Sequence, residues 1–381
     1  TGNYDLLMRY KRLQDLGRIE VITTPYYHPL IPFWPEEDGL RQLKKGIDLY
    51  ERYFGRRPVG IWCPEMAWSA DYRNVRVLHD QGIEWTIVDY SLWERCGYPG
   101  QYKWVEFWTD PWKKPRPPWP YWVDAGYGRR IAVFIRDSIA SGRIAFIYAQ
   151  WPAPPCVEDF MDYIDSIEEN YNHPEVVGWP RGRPWPGLCI AIAMDGETLG
   201  YWWKEGFEWL NATLARARER PWLHIVSAAE YLEEHPPFET IDLRLDGSWG
   251  WHYWDPVVGV DPFYPWRGHY DDEYMLVRAW RARDWVVEAE SLVARAKGSV
   301  PEDVSREAQS LIERAWDDIF QAECSDWPFY HWINDFRARA FAHATAAEWF
   351  AAQAVKLLLD SGWSDAEAED FVAFLARVVA S

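Results

Sequence analysis

Two carboxylates stand at the ends of short apolar runs, in the sequence contexts GIWCPEMAW (Gly60–Trp68) and LCIAIAMDGETLGYWWKEG (Leu188–Gly206). Glu65 follows the run Val59–Trp62, with Pro64 fixing the turn, and Asp195 follows the uncharged run Leu188–Met194. A lone Glu after Pro also suits a helix N-terminus, where the macrodipole favours an acid. An Asp before Gly196 also suits an N-cap. The pair gains meaning from position, because strand ends of one parallel sheet point to the same face, and that face carries the ligand site. Two carboxylates across a cleft lined by aromatic rings are the apparatus of glycoside hydrolysis, one as nucleophile or base and the other as a general acid of raised pKa. Glu197, two residues beyond Asp195, could face the same cleft as a supporting partner or as a rival for the acid role. Tyr26, Tyr27 and His28 end the first apolar run.

The rings are abundant: 28 Trp, 22 Tyr and 16 Phe in 381 residues. Trp112/Trp119/Trp122, Trp202/Trp203 and Trp249/Trp251/Trp254 sit in loop-like, Gly/Pro-rich contexts. Indole is bulky and its N–H needs a partner, so many of these rings serve the core, while others suit the apolar faces of a sugar. Alternative chemistries lack their signatures: there is no G-x-G-x-x-G, G-x-x-x-x-G-K-[ST], H-E-x-x-H or G-x-S-x-G. The nine histidines are scattered, and His28, His252 or His331 could hold a metal only through tertiary convergence; no metal or cofactor is expected. Five cysteines without a C-x-x-C pair imply neither a disulfide framework nor a zinc knuckle.

The elements that must position these residues alternate from Gly17 to about Pro237. Strands are predicted at Arg18–Thr23, Val59–Trp62, Trp85–Val88, Ile131–Ile135, Leu188–Met194 and His224–Ser227. Helices are predicted between them, through Leu40–Phe54, around Val75 and Leu78, over Val157–Glu169 and Glu205–Arg218, and up to Glu234. All-apolar strands alternating with helices argue for a parallel sheet covered by helices, open or closed into a barrel. Gly97–Arg130 and Leu243–His269 read as long irregular loops, a length that is uncommon without function. From about Asp271 a 3.6-residue period dominates, and Asp271–Ala296, Pro301–Phe320, Asn334–Leu359 and Ser364–Val379 read as a helical bundle. The expected division is a barrel domain over 1–245, an aromatic connection over 246–270 and a bundle over 271–381.

The net charge of −19 repels phosphate backbones and anionic lipid, so nucleic-acid and membrane partners are not expected. No uncharged run reaches the length of a membrane span. A cytoplasmic location is the expectation, although Thr1 is not a start methionine. The charge says nothing about oligomeric state.

The motifs, taken in order, resemble glycoside hydrolase family 57, which comprises α-amylases, 4-α-glucanotransferases, branching enzymes and amylopullulanases. GRIEVITTPYYHPLIP (Gly17–Pro32) resembles the segment whose His contributes to the substrate site, and GIWCPEMAW the motif whose Glu is the nucleophile. AMDGETLGYWWKEG (Ala193–Gly206) resembles the motif whose Asp is the general acid. FIRDSIASGRIAF (Phe134–Phe146), GSWG (Gly247–Gly250) and ECSDWPF (Glu323–Phe329) resemble three further family segments, with Gly142 where Asp is usual. The resemblance implies an incomplete (β/α)7-type barrel followed by a C-terminal α-helical bundle, acting on α-1,4-glucans by retaining double displacement without a cofactor. Glu65 would be the nucleophile and Asp195 the general acid/base. His28, Trp62, Glu197, Trp203, Trp249, Asp326 and Trp327 would be substrate contacts. The family's H-Q-P-like strand end has no counterpart, which would place the first barrel strand upstream of Thr1. D-x-E-x-x-G-x-W-W-x-E-G and S-D-W-P-F resemble branching enzymes, whereas the F-R-D segment resembles amylases. A non-catalytic glucan-binding relative would keep the rings without turnover. A metal-dependent polysaccharide deacetylase would need an Asp/His/His cluster at a strand end, which no local spacing offers.

Overall fold

In the computed structural model, residues 2–98, 119–175, 181–250, 254–255 and 259–379 are described. The middle of the Gly97–Arg130 loop, with Trp112, lies outside the described residues, as do Trp251 and His252; of Trp254 only the backbone is described. The chain divides into two compact units, one of Thr1–Thr24 with Gly46–Trp249 and one of Pro25–Lys45 with Gly250–Ser381.

The first unit is built on one sheet of five strands: β1 (Gly60–Ile61), β2 (Trp85–Val88), β3 (Tyr121–Asp124), β4 (Arg130–Ile135) and β5 (Thr240–Ile241). Their order is β1-β2-β4-β3-β5, parallel except between β3 and β4. Every residue of β2 is buried, as is β4 beyond Arg130, which is the pattern of strands covered on both faces. Helices Arg73–Asp80, Ala153–Tyr171 and Gly206–Arg218 lie between strand positions. The last two join Ile139, Ile144 and Tyr148 in a separate apolar core.

Three expected strands are not ladders. Arg18–Thr23 contributes one parallel bridge, Thr23 to Ile61. Leu188–Met194 contributes another, Ala191 to Arg136, and His224–Ser227 none. The cause for the second is occupancy of the edge. β3 folds back on β4 through a turn with Gly126, Tyr127 and Gly128 at positive φ, so it takes the hydrogen-bonding edge from Ile131 to Val133. Only beyond the end of β4 can Leu188–Met194 pair. β3 itself lies in a stretch expected to be irregular, and β5 was not foreseen. An unforeseen helix also spans Gly2–Asp15.

The second unit is helical. Tyr270–Ala296, Glu302–Ala322, Asn334–Asp360 and Ala366–Val379 match the periodicity to within a few residues. Their shared core is rich in alanine, including Ala282, Ala289, Ala308, Ala315, Ala347 and Ala351, small side chains that let helix axes approach closely. Pro25–Lys45 adds the buried Trp34 to that core, and Asp38 is fully buried in an ion pair with Arg283.

Gly60 faces Trp85 across the β1–β2 ladder, and a Cβ there would lie 2.2–2.6 Å from the indole ring. Gly60→Ala is expected to lower stability by about 1–3 kcal/mol through overpacking. Denaturant unfolding of the variant checks this; an unchanged midpoint would contradict the packing described.

Candidate active site

The segment Cys63–Trp68 sits just past the carboxyl end of β1 and folds into a tight turn, with Met66 N–H donating to the Cys63 carbonyl and Ala67 N–H to that of Pro64. Glu65 and Met66 both adopt left-handed backbone, at φ 57° and 51°. Two successive non-glycine residues in this region cost of the order of 1–3 kcal/mol each and persist only where their surroundings impose them. Glu65 is therefore not an ordinary helix N-terminal acid. Fully buried Asn74 holds the turn, donating to the Ala67 carbonyl at 2.8 Å and accepting from Ser69 N–H at 3.0 Å.

The GSWG segment is laid antiparallel on the same turn. Trp68 and Gly247 exchange backbone hydrogen bonds, and Trp249 N–H donates to the Glu65 carbonyl. Gly247 is required by close approach, since a Cβ would press on Leu92 at 3.0–3.2 Å. This clamp brings the Trp249 indole Nε1 to within 2.6 Å of Glu65 Oε2, which it donates to. The Trp249 ring also meets that of Trp62 edge-on, 5.1 Å between centroids. Glu65, Trp62 and Trp249 thus form one constellation.

Asp195 enters through Arg136. That residue continues β4 by one position and is 7% exposed. Its Nη1 donates to Asp89 Oδ2 at 2.9 Å, its Nε donates to the Ala193 carbonyl at 2.8 Å, and its guanidinium stands 5.6 Å from the centre of the Trp249 ring. Asp89 follows β2 directly and caps the helix Tyr90–Arg95 with its other oxygen. Arg136 consequently pins Asp89, Ala193 and Trp249 to the end of β4, two residues before Asp195.

Solvent reaches Asp195, and its carboxylate makes no capping hydrogen bond to the turn Gly196–Thr198 that follows it, so the N-cap alternative does not hold. Partial burial pushes its pKa up. The Glu197 carboxylate adds to the rise, while Arg136 pulls it back. A carboxyl so placed retains its proton to higher pH than a free aspartate, the property a general acid needs. Glu197 is exposed beside it.

The remaining expected residues divide. Trp203 is 3% exposed and packs on Tyr148 and Trp209, so its ring is sealed in the core; Tyr201 and Trp202 are the exposed rings of that turn. His28, Asp326 and Trp327 belong to the helical unit. There His28 Nδ1 lies 2.8 Å from Ser325 Oγ, and burial lowers the His28 pKa against the opposing charge of Asp326. Trp327 donates to the Gln321 carbonyl at 2.6 Å. Asp89 lies in none of the sequence motifs, and Arg136, the arginine of the F-R-D segment, has no role assigned from sequence. The signal was available, as each directly follows a buried apolar strand.

A family model described as glycosyl hydrolase family 57 matches residues 2–244. A 1,4-α-glucan branching enzyme of Thermococcus kodakarensis is 24% identical over 389 residues, covering 89% of this chain and 54% of its own length. A 4-α-glucanotransferase of Thermococcus litoralis is 24% identical, covering 61% of this chain and 30% of its own length. The chain therefore spans about half of the first relative and under a third of the second. The crystal structure of a branching enzyme of this type from Pyrococcus horikoshii superposes with a TM-score of 0.72 at 22% identity, covering 97% of this chain and 71% of that one. This likeness shows the fold, an incomplete (β/α)7-type barrel with a C-terminal helical region.

Trp249→Phe keeps the ring against Trp62 and removes only the N–H donor to Glu65. A hydrogen bond to a charged acceptor contributes roughly 1.5–3 kcal/mol, so the kcat/KM of any reaction that uses the Glu65 carboxylate is expected to fall about 10- to 100-fold with the melting temperature nearly unchanged. Steady-state kinetics beside a thermal melt check both halves of this expectation.

Proposed function

The chain belongs to glycosyl hydrolase family 57, and on that premise we propose that it cleaves α-1,4-glucans by retaining double displacement and passes the glycosyl group to a sugar acceptor. The observation that carries this reading is the strained Glu65, held by Trp249 and set in one framework with the protonatable Asp195 by Arg136. Glu65 attacks the anomeric carbon while Asp195 protonates the departing glycosidic oxygen, leaving a glycosyl ester on Glu65. Asp195, now ionised, takes the proton from the incoming hydroxyl, which displaces Glu65 and restores the anomeric configuration. Trp62 and Trp249 supply apolar ring surface to the sugar at this point, and Tyr201 and Trp202 supply it further along the chain.

Branching is the reaction favoured among those the relatives' names carry. The match to the branching enzyme extends over 89% of the chain, whereas that to the glucanotransferase stops at 61%. Product analysis on amylose tests this. New α-1,6 linkages support branching, redistributed α-1,4 chain lengths indicate a glucanotransferase, and shorter sugars alone indicate a hydrolase. Binding without turnover would overturn the catalytic reading.

Glu65→Gln and Asp195→Asn are each expected to lower kcat by about 10³-fold or more, since each removes an essential group. Glu197 raises the Asp195 pKa, so Glu197→Gln lowers it, and the general acid then loses its proton at lower pH. The alkaline limb of kcat/KM is expected to move to lower pH; a pH–rate profile with an unmoved or raised limb would contradict the assigned acid.

A further inference from the structure

The helical unit carries a side-chain cluster that the proposed chemistry does not use. His269 is the N-cap of helix Tyr270–Ala296, Asp272 is the third residue of that helix, and His331 follows the short helix Asp326–Phe329. One donor atom from each lies within 4.8 Å of the other two. We propose that these three residues form a binding site for a divalent transition-metal ion, with Zn2+ the first choice.

The decisive group is Asp272. It is fully buried, and its Oδ2 accepts from the His269 backbone N–H at 3.0 Å. Its Oδ1 has no hydrogen-bond partner among the described residues, although His331 Nδ1 stands 2.9 Å away. The pair is close enough to be an ion pair when His331 is protonated; with His331 neutral, the two atoms are free to serve as donors to a common point. Their separation is close to the edge of a zinc coordination tetrahedron, roughly 3.3 Å for bonds near 2.0 Å. The nearest other partner of His331 Nδ1, the Pro328 carbonyl, is 3.3 Å away, longer than a normal N–H···O bond. The two imidazoles lie with ring centres 4.2 Å apart, which would be unfavourable if both were charged.

His269 completes the set. Its backbone N–H is held by Asp272 Oδ2 and its carbonyl accepts the Asp272 N–H, which fixes the residue beside the carboxylate. His269 is exposed, so its ring is free to turn toward an incoming ion. Exposure also provides an entry path and leaves a fourth position for water.

The donor set selects the ion. Two imidazoles and one carboxylate suit Zn2+ and its neighbours, whereas Ca2+ and Mg2+ prefer oxygen alone. Bound there, the metal staples the start of the helix to the segment after Phe329.

Calorimetric titration of Zn2+ into the chelator-stripped full chain tests the site, with His269→Ala and His331→Ala beside the wild type. The expected result is one equivalent bound by the wild type, affinity at least tenfold weaker in each variant, and a melting temperature raised by Zn2+ only in the wild type. Co2+ in place of Zn2+ should give the intense visible bands of a four-coordinate ion. No uptake by the wild type, or uptake equal in wild type and His269→Ala, would overturn the proposal. His269 is exposed, so its variant should fold normally, and far-UV circular dichroism verifies that.

Discussion

The guanidinium of Arg136 is the interaction on which the barrel unit's candidate site depends. Three segments that are remote in sequence meet there: Asp89 at the end of β2, Ala193 in the run before Asp195, and Trp249 above Glu65. Leu188–Met194 has little of a sheet to hold it, because β3 occupies the edge that a barrel strand would use. Its single bridge, the Arg136–Ala193 hydrogen bond and the bond from Ala193 N–H to buried Ser141 Oγ place the segment. Burying the Arg136–Asp89 pair carries a desolvation cost, which geometry and further hydrogen bonds must offset. Here Asp89 accepts from Arg136, Ser138 and the Ser91 N–H, and the guanidinium is satisfied by a carboxylate and a carbonyl. Arg136 also sets electrostatics, opposing the rise in the Asp195 pKa that burial and Glu197 cause.

The second constraint is backbone strain at Glu65. Left-handed residues persist only when neighbours impose them, and here the imposition is identifiable. Asn74 holds the far side of the turn, and the 247–249 segment is hydrogen-bonded across it. The same clamp delivers the indole N–H that orients the carboxylate. Strain, clamp and aromatic contact are therefore one arrangement, and the Trp–Glu hydrogen bond is its chemical product.

Much of this was legible in the sequence where local pattern and burial agree. β2 and β4 were read nearly to the residue because fully buried strands are unbroken apolar runs. The bundle helices were read because their period is long and regular. Glu65 and Asp195 stood out because each ends such a run. What was not legible depends on partners remote in sequence. β3 was hidden in a stretch dominated by Pro, Gly and Trp, although the A-G-Y-G turn before RIAVFI was a hairpin signal. Leu188–Met194 has strand composition, but an occupied edge denies it a ladder. Trp203 and Trp202 are adjacent and chemically identical, and only packing on Trp209 and Tyr148 decides which is buried. Arg136 and Asp89 acquire their meaning from one another. His269 and Asp272 are three residues apart on a helix start, yet their relation to His331 exists only once the helices pack.

The central claim is that Glu65 forms a covalent bond to the sugar. Incubation with an activated fluorinated α-maltosyl fluoride, which slows release of the glycosyl-enzyme, followed by peptide mass mapping, tests it directly. The expected result is one glycosyl adduct per chain, on the peptide containing Glu65, and none in Glu65→Gln. An adduct on another carboxylate, or turnover with inverted anomeric configuration and no adduct, would contradict it.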